Sequence, residues 1–259
     1  MSFSTVLQGD FGDEMMNSAS KPGNHALGCP MVLPDGREFR LCRAGFVGLT
    51  GGLFMSAISS ALVARNEATN AVAITAGDRT ITFTGSFSST ASAYADGYIM
   101  FTQGTGVGEM YSIKSSTVSS GSTGTVTLMN PAGVNSDISI NGTDLRIYPS
   151  PYGGLKVNPI DAQAMPVCVT PRDVTSYYYF WGQTKGLCSL MIDVPSDGGL
   201  EIDEKIITAC RRGALAGYGA IQGSPAATGN TKDHMPILAR LVDEADITTA
   251  RCALVYLTL

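Results

Sequence analysis

The chain has 259 residues, which suits one large or two modest domains and allows a sizeable core. Charged residues make up 15% of the sequence, against about 25% in ordinary globular proteins, and the formal net charge is -5. Basic residues are thinly spread, and their one tight cluster is the pair Arg211 and Arg212. This charge distribution excludes the electrostatic footprint of a nucleic-acid-binding protein, so we expect no direct nucleic-acid partner.

The first 66 residues are predicted to be an irregular N-terminal arm. Glycine and proline interrupt this segment repeatedly, and its runs KPGNHALGCP and LPDGREF are typical of successive turns. The run from Phe54 to Leu62 has apolar residues at helical spacing, which predicts a short amphipathic helix. The opening residues resemble no signal peptide, and no apolar stretch is long enough to span a bilayer. We therefore expect folding in a reducing cytoplasm and no membrane partner.

Residues 67–160 are predicted to form a β domain. Short runs rich in β-branched and aromatic residues, such as RTITFTGSF and GTVTLMNP, follow one another between turn residues. Many short strands at close intervals indicate a barrel or a sandwich. Residues 161–259 continue the pattern and are predicted to be a second β region that packs with the first. The predicted fold class is mainly β, with short-stranded barrel or sandwich domains and an extended N-terminal arm.

A glycine-rich loop in the β domain has the composition of a phosphate-binding loop. Its glycines are Gly104, Gly106 and Gly108. A dinucleotide loop needs Gly-x-Gly-x-x-Gly between a strand and a helix, because the helix N-terminus supplies donors to the phosphate. Here the spacing is Gly-x-Gly-x-Gly, and the following EMYSIKSS alternates as a strand does. The sequence therefore predicts a hairpin connection whose glycines supply positive φ angles, and no cofactor.

No catalytic or metal-binding motif stands out. The cysteines lie too far apart for a zinc ribbon or a redox Cys-x-x-Cys motif, and the only histidines are His25 and His234. Carboxylates are frequent from Asp193 to Glu204, but acidic residues at a turn between apolar strands are more often a solvated face than a glycosidase pair. We expect buried, reduced thiols, no catalytic, cofactor-binding or metal-binding residues, and no enzymatic activity. The cysteines are Cys29, Cys42, Cys168, Cys188, Cys210 and Cys252.

The aromatic run from Tyr177 to Trp181 has two interpretations. In a strand, Tyr177, Tyr179 and Trp181 would share one face, and the residues between them would share the other. Such a run could contact a subunit or a carbohydrate, because Tyr and Trp combine a large apolar area with a polar group. It could equally be a core strand covered on both faces. The core interpretation suits Phe180 and Trp181 better.

Several segments together resemble a family of tailed-phage virion structural proteins. The similar segments are YADGYIMF, GTGVGEMYSIKS, TVTLMNP, YPSPYGGLKVNP, YFWGQTKG, described in that family as an aromatic turn, and the terminal VYLTL. They occur in the family's order over residues 70–259, and they are structural motifs rather than catalytic ones. Residues 1–45 have no counterpart in the family, and the pair Arg211 and Arg212 stands where the resemblance implies a stretch of small residues. These departures are candidates either for contacts particular to this virus or for surface variation.

The resemblance implies a non-enzymatic virion protein, foremost a capsid decoration (cement) protein that stabilises the phage head from the capsid exterior. A major capsid protein, a tail protein and a carbohydrate-binding virion module are the alternatives. A decoration protein would be made in the host cytoplasm and would bind the major capsid protein of the same virus. The resemblance also suggests a homo-oligomer, with a trimer as the expected state. The apolar C-terminal run from Ala253 to Leu259 fits this picture, because such a strand must be paired within the fold or against a neighbouring subunit.

Overall fold

A computed structural model of the chain describes residues 6–57, 67–85, 93–118, 123–139, 144–157, 166–192, 206–209, 215–217, 237–242 and 251–259. The described residues form strands and one 3-10 turn, Asp13–Met15, so the chain is mainly β, as predicted. None of the helical structure in these ranges has the length and apolar character of a membrane span. The chain divides into two compact units, Met1–Ser59 with Tyr152–Leu259, and Ser60–Pro151.

The strands are short, with one exception in the second half of the chain. In chain order they are β1 (Leu7–Gln8), β2 (Asn17–Ser18), β3 (Pro30–Val32), β4 (Glu38–Arg43), β5 (Phe54–Ser56), β6 (Glu67–Asn70), β7 (Thr80–Gly85), β8 (Tyr98–Phe101), β9 (Met110–Val118), β10 (Thr123–Leu128), β11 (Asp144–Tyr148), β12 (Lys156–Val157), β13 (Pro166–Val169), β14 (Tyr179–Ile192), β15 (Ile206–Ala209), β16 (Leu215–Gly217), β17 (Ile237–Leu241) and β18 (Arg251–Thr258). The first unit contains β1–β5 and β12–β18, and the second contains β6–β11.

The second unit is a closed antiparallel barrel in the order β10-β7-β6-β11-β8-β9. Strands β8, β9 and β10 follow one another as neighbours, and β11 returns to lie beside β8. This is the spatial order of a Greek key. Because the barrel closes on itself, each of its strands has a partner on both sides and none of them presents a free edge.

Alternating side chains fill the barrel. Ile81 and Phe83, which the sequence pattern places on one face of β7, are both fully buried, and the threonines that alternate with them are more exposed. The ring of Phe83 lies over Gly124 of the neighbouring β10, where an added Cβ would stand 2.6 Å from the ring. The glycine therefore makes room for the aromatic ring. Other fully buried core residues are Ile99, Ile113, Val126, Leu128, Leu145 and Ile147.

The first unit is a mixed sheet organised around β14. This strand pairs with β4 through Tyr179–Lys185 and then with β18 through Lys185–Ile192. The register shifts between Gln183 and Lys185, and Gly186 has a positive φ of 93°. The Gln183 side chain is buried there, and its amide donates to the carbonyls of Lys185 at 3.1 Å and Leu187 at 2.8 Å. The YFWGQTKG segment is therefore a bulged strand and not a turn.

Glycine also makes close packing possible at the centre of this sheet. Gly182 of β14 lies beneath two thiols, and a Cβ there would stand 2.4 Å from Cys168 Sγ and 3.1 Å from Cys42 Sγ. The two sulfur atoms are 3.8 Å apart. Their strands, β4 and β13, both pair with β14, so the thiols meet across the strand between them. The pair fills the space that a larger residue at position 182 would occupy.

The division of the chain differs from the predicted one. The described part of the predicted arm contributes β1–β5 to the sheet of the first unit, and it therefore shares one compact unit with residues 152–259. The predicted β domain, 67–160, corresponds to the barrel unit, which begins and ends a few residues earlier. The barrel is inserted between β5 and β12, and these two strands pair with each other. Strands of two or three residues between frequent turns carry too little alternation to be recognised in the sequence.

The prediction of a helix from Phe54 to Leu62 is wrong for its first residues. Phe54–Ser56 is strand β5, and residues 58–66 lie outside the described ranges. Strand β5 pairs with both β12 and β13, and all of its side chains are buried. A strand that is covered on both faces has no polar side, so its sequence lacks the alternation that distinguishes a strand from a helix.

Candidate functional site

The glycine-rich loop is a hairpin connection, as predicted. It joins β8 to β9, and Gly104, Gly106 and Gly108 have φ angles of 81°, 79° and 88°. The Phe101 amide donates to the Glu109 carbonyl at 3.0 Å, and the Gly108 amide donates to the Phe101 carbonyl at 2.9 Å. A strand follows the loop, so the helix N-terminus that a dinucleotide loop would offer to a phosphate does not occur at this position.

The half-buried carboxylate of Glu109 links this hairpin to the loop between β10 and β11. Glu109 accepts a hydrogen bond from Ser136 Oγ at 2.5 Å and another from the hydroxyl of Tyr111. That hydroxyl accepts in turn from the Asn135 amide at 2.8 Å. Desolvation opposes ionisation of Glu109, but the donors outweigh it and hold its pKa below the ordinary value. Desolvation and the bond to Glu109 raise the pKa of Tyr111.

The described cysteines are free thiols with differing exposure. Cys42, Cys168 and Cys188 are buried, as predicted, whereas Cys29 is half-buried and Cys252 is exposed. Desolvation raises the pKa of Cys188 to about 12, so this thiol stays protonated and is a poor nucleophile. In the ranges that the structure describes, no three His, Cys, Asp or Glu side chains gather as they would around a metal ion.

Several residues singled out in the sequence lie outside the described ranges. These are the carboxylates from Asp193 to Glu204, Cys210, the pair Arg211 and Arg212, and His234. His25 is described, and it lines an open cleft of about 470 Å3 together with Trp181 and several methionines. Of the residues considered for catalysis in the sequence, His25 is therefore the one in the described part of the chain.

The aromatic run is divided between core and surface. Phe180 and Trp181 are 1% and 5% exposed, which confirms the core interpretation for both. Tyr177 is 55% exposed and precedes the strand, because β14 begins at Tyr179. The prediction that Tyr177 shares a strand face with Trp181 is therefore wrong. Its backbone is in a turn, which redirects the side chain.

Tyr177 occupies a position at which glycine is usual. The Tyr178 amide donates to the Thr175 carbonyl at 3.1 Å and closes a four-residue turn, with Tyr177 at the third position and a φ of 64°. Ser176, at the second position, does not have a positive φ, so the turn fits type II, in which glycine or asparagine is normally found at the third position. A bulky residue in this conformation is a true outlier, and its cost of about 1–3 kcal/mol has to be offset elsewhere.

Arg43 holds the tyrosine in place. Its guanidinium carbon lies 6.0 Å from the centre of the Tyr177 ring and 5.5 Å from the centre of the Tyr179 ring. Its Nε donates to the Tyr177 carbonyl at 3.2 Å. Cation–π contacts of this kind contribute about 0.5–1 kcal/mol each at exposed sites. Arg43 forms no ion pair with any residue that the structure describes.

A second turn lies directly beside the first and carries exposed apolar side chains. Phe46 is 67% exposed and Val47 is 55% exposed. The Tyr177 amide donates to the Gly45 carbonyl at 2.9 Å, and further along Leu49 and Val174 exchange hydrogen bonds of 2.8 and 2.9 Å. The two turns therefore form one hydrogen-bonded unit. We call Arg43, Phe46, Val47, Tyr177 and Tyr179 together the aromatic turn surface.

A second exposed apolar area lies on the strands β14 and β18. Tyr256 and Leu254 are 42% and 43% exposed, and Leu187, which pairs with Tyr256, is 48% exposed. We call these three residues the outer ladder face. Val255 and Leu257 point to the other side and are fully buried. The apolar C-terminal run is thus paired within the fold, one of the two arrangements expected for it.

No family model, no curated protein and no solved structure matches this chain. Arg43, Phe46 and Val47 were not predicted from the sequence, although one local signal was present. Phe46 and Val47 form an apolar pair between Gly45 and Gly48, which is unusual in a turn-rich segment.

Replacing Gly106 with alanine should lower the free energy of unfolding by roughly 1 kcal/mol. An added Cβ would make only ordinary contacts, the nearest at 3.5 Å to Ile138, so the cost is the positive φ. Urea denaturation measures the effect. Gly108→Ala is the matched control, because its φ is also positive and its surroundings are open, and it should cost a similar amount. Binding of ATP or NAD that the Gly106 substitution abolishes in calorimetry would contradict the hairpin role.

Replacing Glu109 with glutamine should cost stability at neutral pH but much less in acid. Because the folded-state pKa of Glu109 is lowered, its contribution is present above the ordinary value of 4.5 and is lost as the pH falls through the lowered pKa. The difference between wild-type and Glu109→Gln protein should therefore shrink toward about pH 3 in urea denaturation series. Ser136→Ala removes one donor and should give a smaller pH-dependent difference. An equal difference at every pH would show that the hydrogen bonds do not depend on the charge of Glu109.

Proposed function

We propose that this chain is a non-enzymatic structural protein of a tailed-phage particle, and foremost a capsid decoration protein that binds the exterior of the head. The observation that carries this proposal is the aromatic turn surface. Arg, Tyr and Phe side chains are exposed on two segments that hydrogen-bond to each other, and such residues are enriched at the centres of protein interfaces. The resemblance of the sequence segments to virion proteins supplies the setting.

A decoration protein has to bind by contact area and not by chemistry. A surface that is already ordered loses less conformational entropy on binding, which favours affinity. The pairing of the two turns supplies that order, and the sheet beneath them supports it. The major capsid and tail alternatives would use the same kind of surface. The carbohydrate-binding alternative is less favoured, because Arg43 lies over the rings of Tyr177 and Tyr179 that would have to stack on a sugar.

We further propose that the protein is a homo-oligomer, with a trimer as the expected state. The outer ladder face supports this, because Leu187, Leu254 and Tyr256 place apolar side chains side by side on one sheet surface. Contact with other copies would remove this surface from water and contribute roughly 25 cal/mol per Å2 of buried apolar area. Closed rotational symmetry is the usual outcome for soluble homo-oligomers.

Purified particles should contain the protein in a fixed stoichiometric ratio to the major capsid protein. It should also be labelled by reagents that react only with the outside of intact particles. Quantitative mass spectrometry and surface biotinylation measure the two properties. A few copies per particle would indicate a receptor-binding module instead, and absence of the protein from particles would refute the proposed function.

Replacing Leu254 and Tyr256 with serine should convert the oligomer to a monomer without unfolding it. Both side chains are on the outside of β18, whereas truncation of the last residues would also remove the buried Val255 and Leu257. Light scattering gives the mass, and circular dichroism checks the fold. Val72→Ser in the barrel, where Val72 is 55% exposed, is the matched control and should leave the mass unchanged. A wild-type protein that is a monodisperse monomer at micromolar concentration would defeat the oligomer proposal.

A further inference from the structure

We propose that the aromatic turn surface is the docking site for a protein surface that presents an Asp or Glu carboxylate beside an apolar side chain. The inference rests on the proposed function, because the partner is sought on the outside of the phage shell. Three features support it, which are the position of Arg43, the exposed apolar pair that follows it in the chain and the strained backbone of Tyr177.

Arg43 determines which charged group the partner must present. Its Nε donates to the Tyr177 carbonyl, and its guanidinium lies near the rings of Tyr177 and Tyr179. Its two terminal amino groups have no partner among the residues that the structure describes. A fixed guanidinium with free terminal donors matches the two oxygens of a carboxylate. The ring contacts restrict its rotamers before the partner arrives, so less entropy is lost on binding.

A single basic group favours a carboxylate over a nucleic-acid backbone. Binding to a chain of phosphates requires several lysines or arginines along one face, and the aromatic turn surface contains Arg43 alone. Phe46 and Val47 extend the surface with apolar area that a phosphate backbone would leave in water. A protein surface with one acidic and one apolar side chain would pair with Arg43 and also cover Phe46 and Val47.

Phe46 and Val47 are the reason why the partner must also present an apolar side chain. Their side chains are 67% and 55% exposed, so a partner could remove most of the apolar area of both from water. The turn is held at Gly45, whose amide donates to the Leu155 carbonyl at 2.7 Å and whose carbonyl accepts from the Tyr177 amide. The apolar pair is therefore presented at a defined place next to Arg43, and not on a free loop.

Tyr177 shows that turn geometry alone does not explain this surface. A glycine at position 177 would adopt a φ of 64° without strain, so tyrosine adds nothing that the turn itself requires. What it adds is an exposed ring that contacts Arg43. A strained residue whose side chain faces solvent is a candidate for function, because folding would be better served by the residue that fits.

The test uses phage particles assembled without this protein as the probe and the purified full-length chain as the ligand. Arg43→Glu, Phe46→Ser and Tyr177→Gly should each weaken co-sedimentation with these particles by about tenfold or more, as expected for central interface residues. Tyr177→Gly should at the same time keep or raise the urea midpoint, which a merely structural tyrosine would not do. Raising the salt to about 1 M, where the Debye length is roughly 3 Å, should weaken wild-type binding and affect the Arg43→Glu variant less.

Two variants elsewhere serve as matched controls. Arg79→Glu makes the same charge change at an exposed arginine of the barrel, and Val107→Ser removes an apolar side chain that is 63% exposed. Both should bind the particles as the wild-type chain does. Equal binding by all variants would overturn the docking site and leave the proposed function intact. No binding by the wild-type chain would overturn the proposed function and this inference with it. Competition by purified host polysaccharide would show that the partner is a carbohydrate and not a protein.

Discussion

The first unit depends on the requirement that every backbone group of β14 be paired while the strand changes its partner. A buried N–H or C=O without a hydrogen bond is costly, so a long strand cannot simply leave one neighbour and join another. In β14 the ladder to β4 ends at Lys185, and the ladder to β18 begins at the same residue on the other side of the strand. The bulge between Gln183 and Lys185 and the positive φ of Gly186 lie at this point. The buried amide of Gln183 donates to the carbonyls of Lys185 and Leu187, so these two hydrogen bonds link the parts of the strand before and after the bulge.

The position of the aromatic turn surface follows from the same strand. Because β4 and β14 are antiparallel, Arg43 at the end of β4 pairs directly with Tyr179 at the start of β14. Side chains on directly opposite residues of a ladder are close enough to interact, which explains the contact between the guanidinium and the Tyr179 ring. The chain then turns at both ends of this pair, so the two turns must lie side by side. The candidate site is a consequence of strand register and not of a local motif.

The barrel could be predicted from the sequence better than the first unit could. The signals of the barrel strands are local, whereas the first unit depends on contacts between residues far apart in the chain. Strand β7 has one solvated and one buried face, so its alternation is visible, and the glycine hairpin before β9 is a local signal. Strand β5 is buried on both faces and gives no alternation. The pairing of Arg43 with Tyr179 joins residues far apart in the chain, and no spacing rule within either segment contains it. A contact role was one interpretation of Tyr177, but its place outside the strand was not predicted, because an aromatic run suggests one continuous strand, whereas the backbone turns within it.

The residue found at a positive φ differs between the structural turns and the surface that we assign to binding. In the barrel hairpin, glycine occupies each position with a positive φ, and the turn forms without strain. Among the described non-glycine residues, only Asp96 and Tyr177 have a positive φ, and aspartate tolerates this conformation well. Tyr177 is therefore the one bulky side chain retained where glycine would serve the fold better. Because its ring is exposed and lies near Arg43, burial within the described fold does not offset this strain, which is why we include Tyr177 in the proposed docking site.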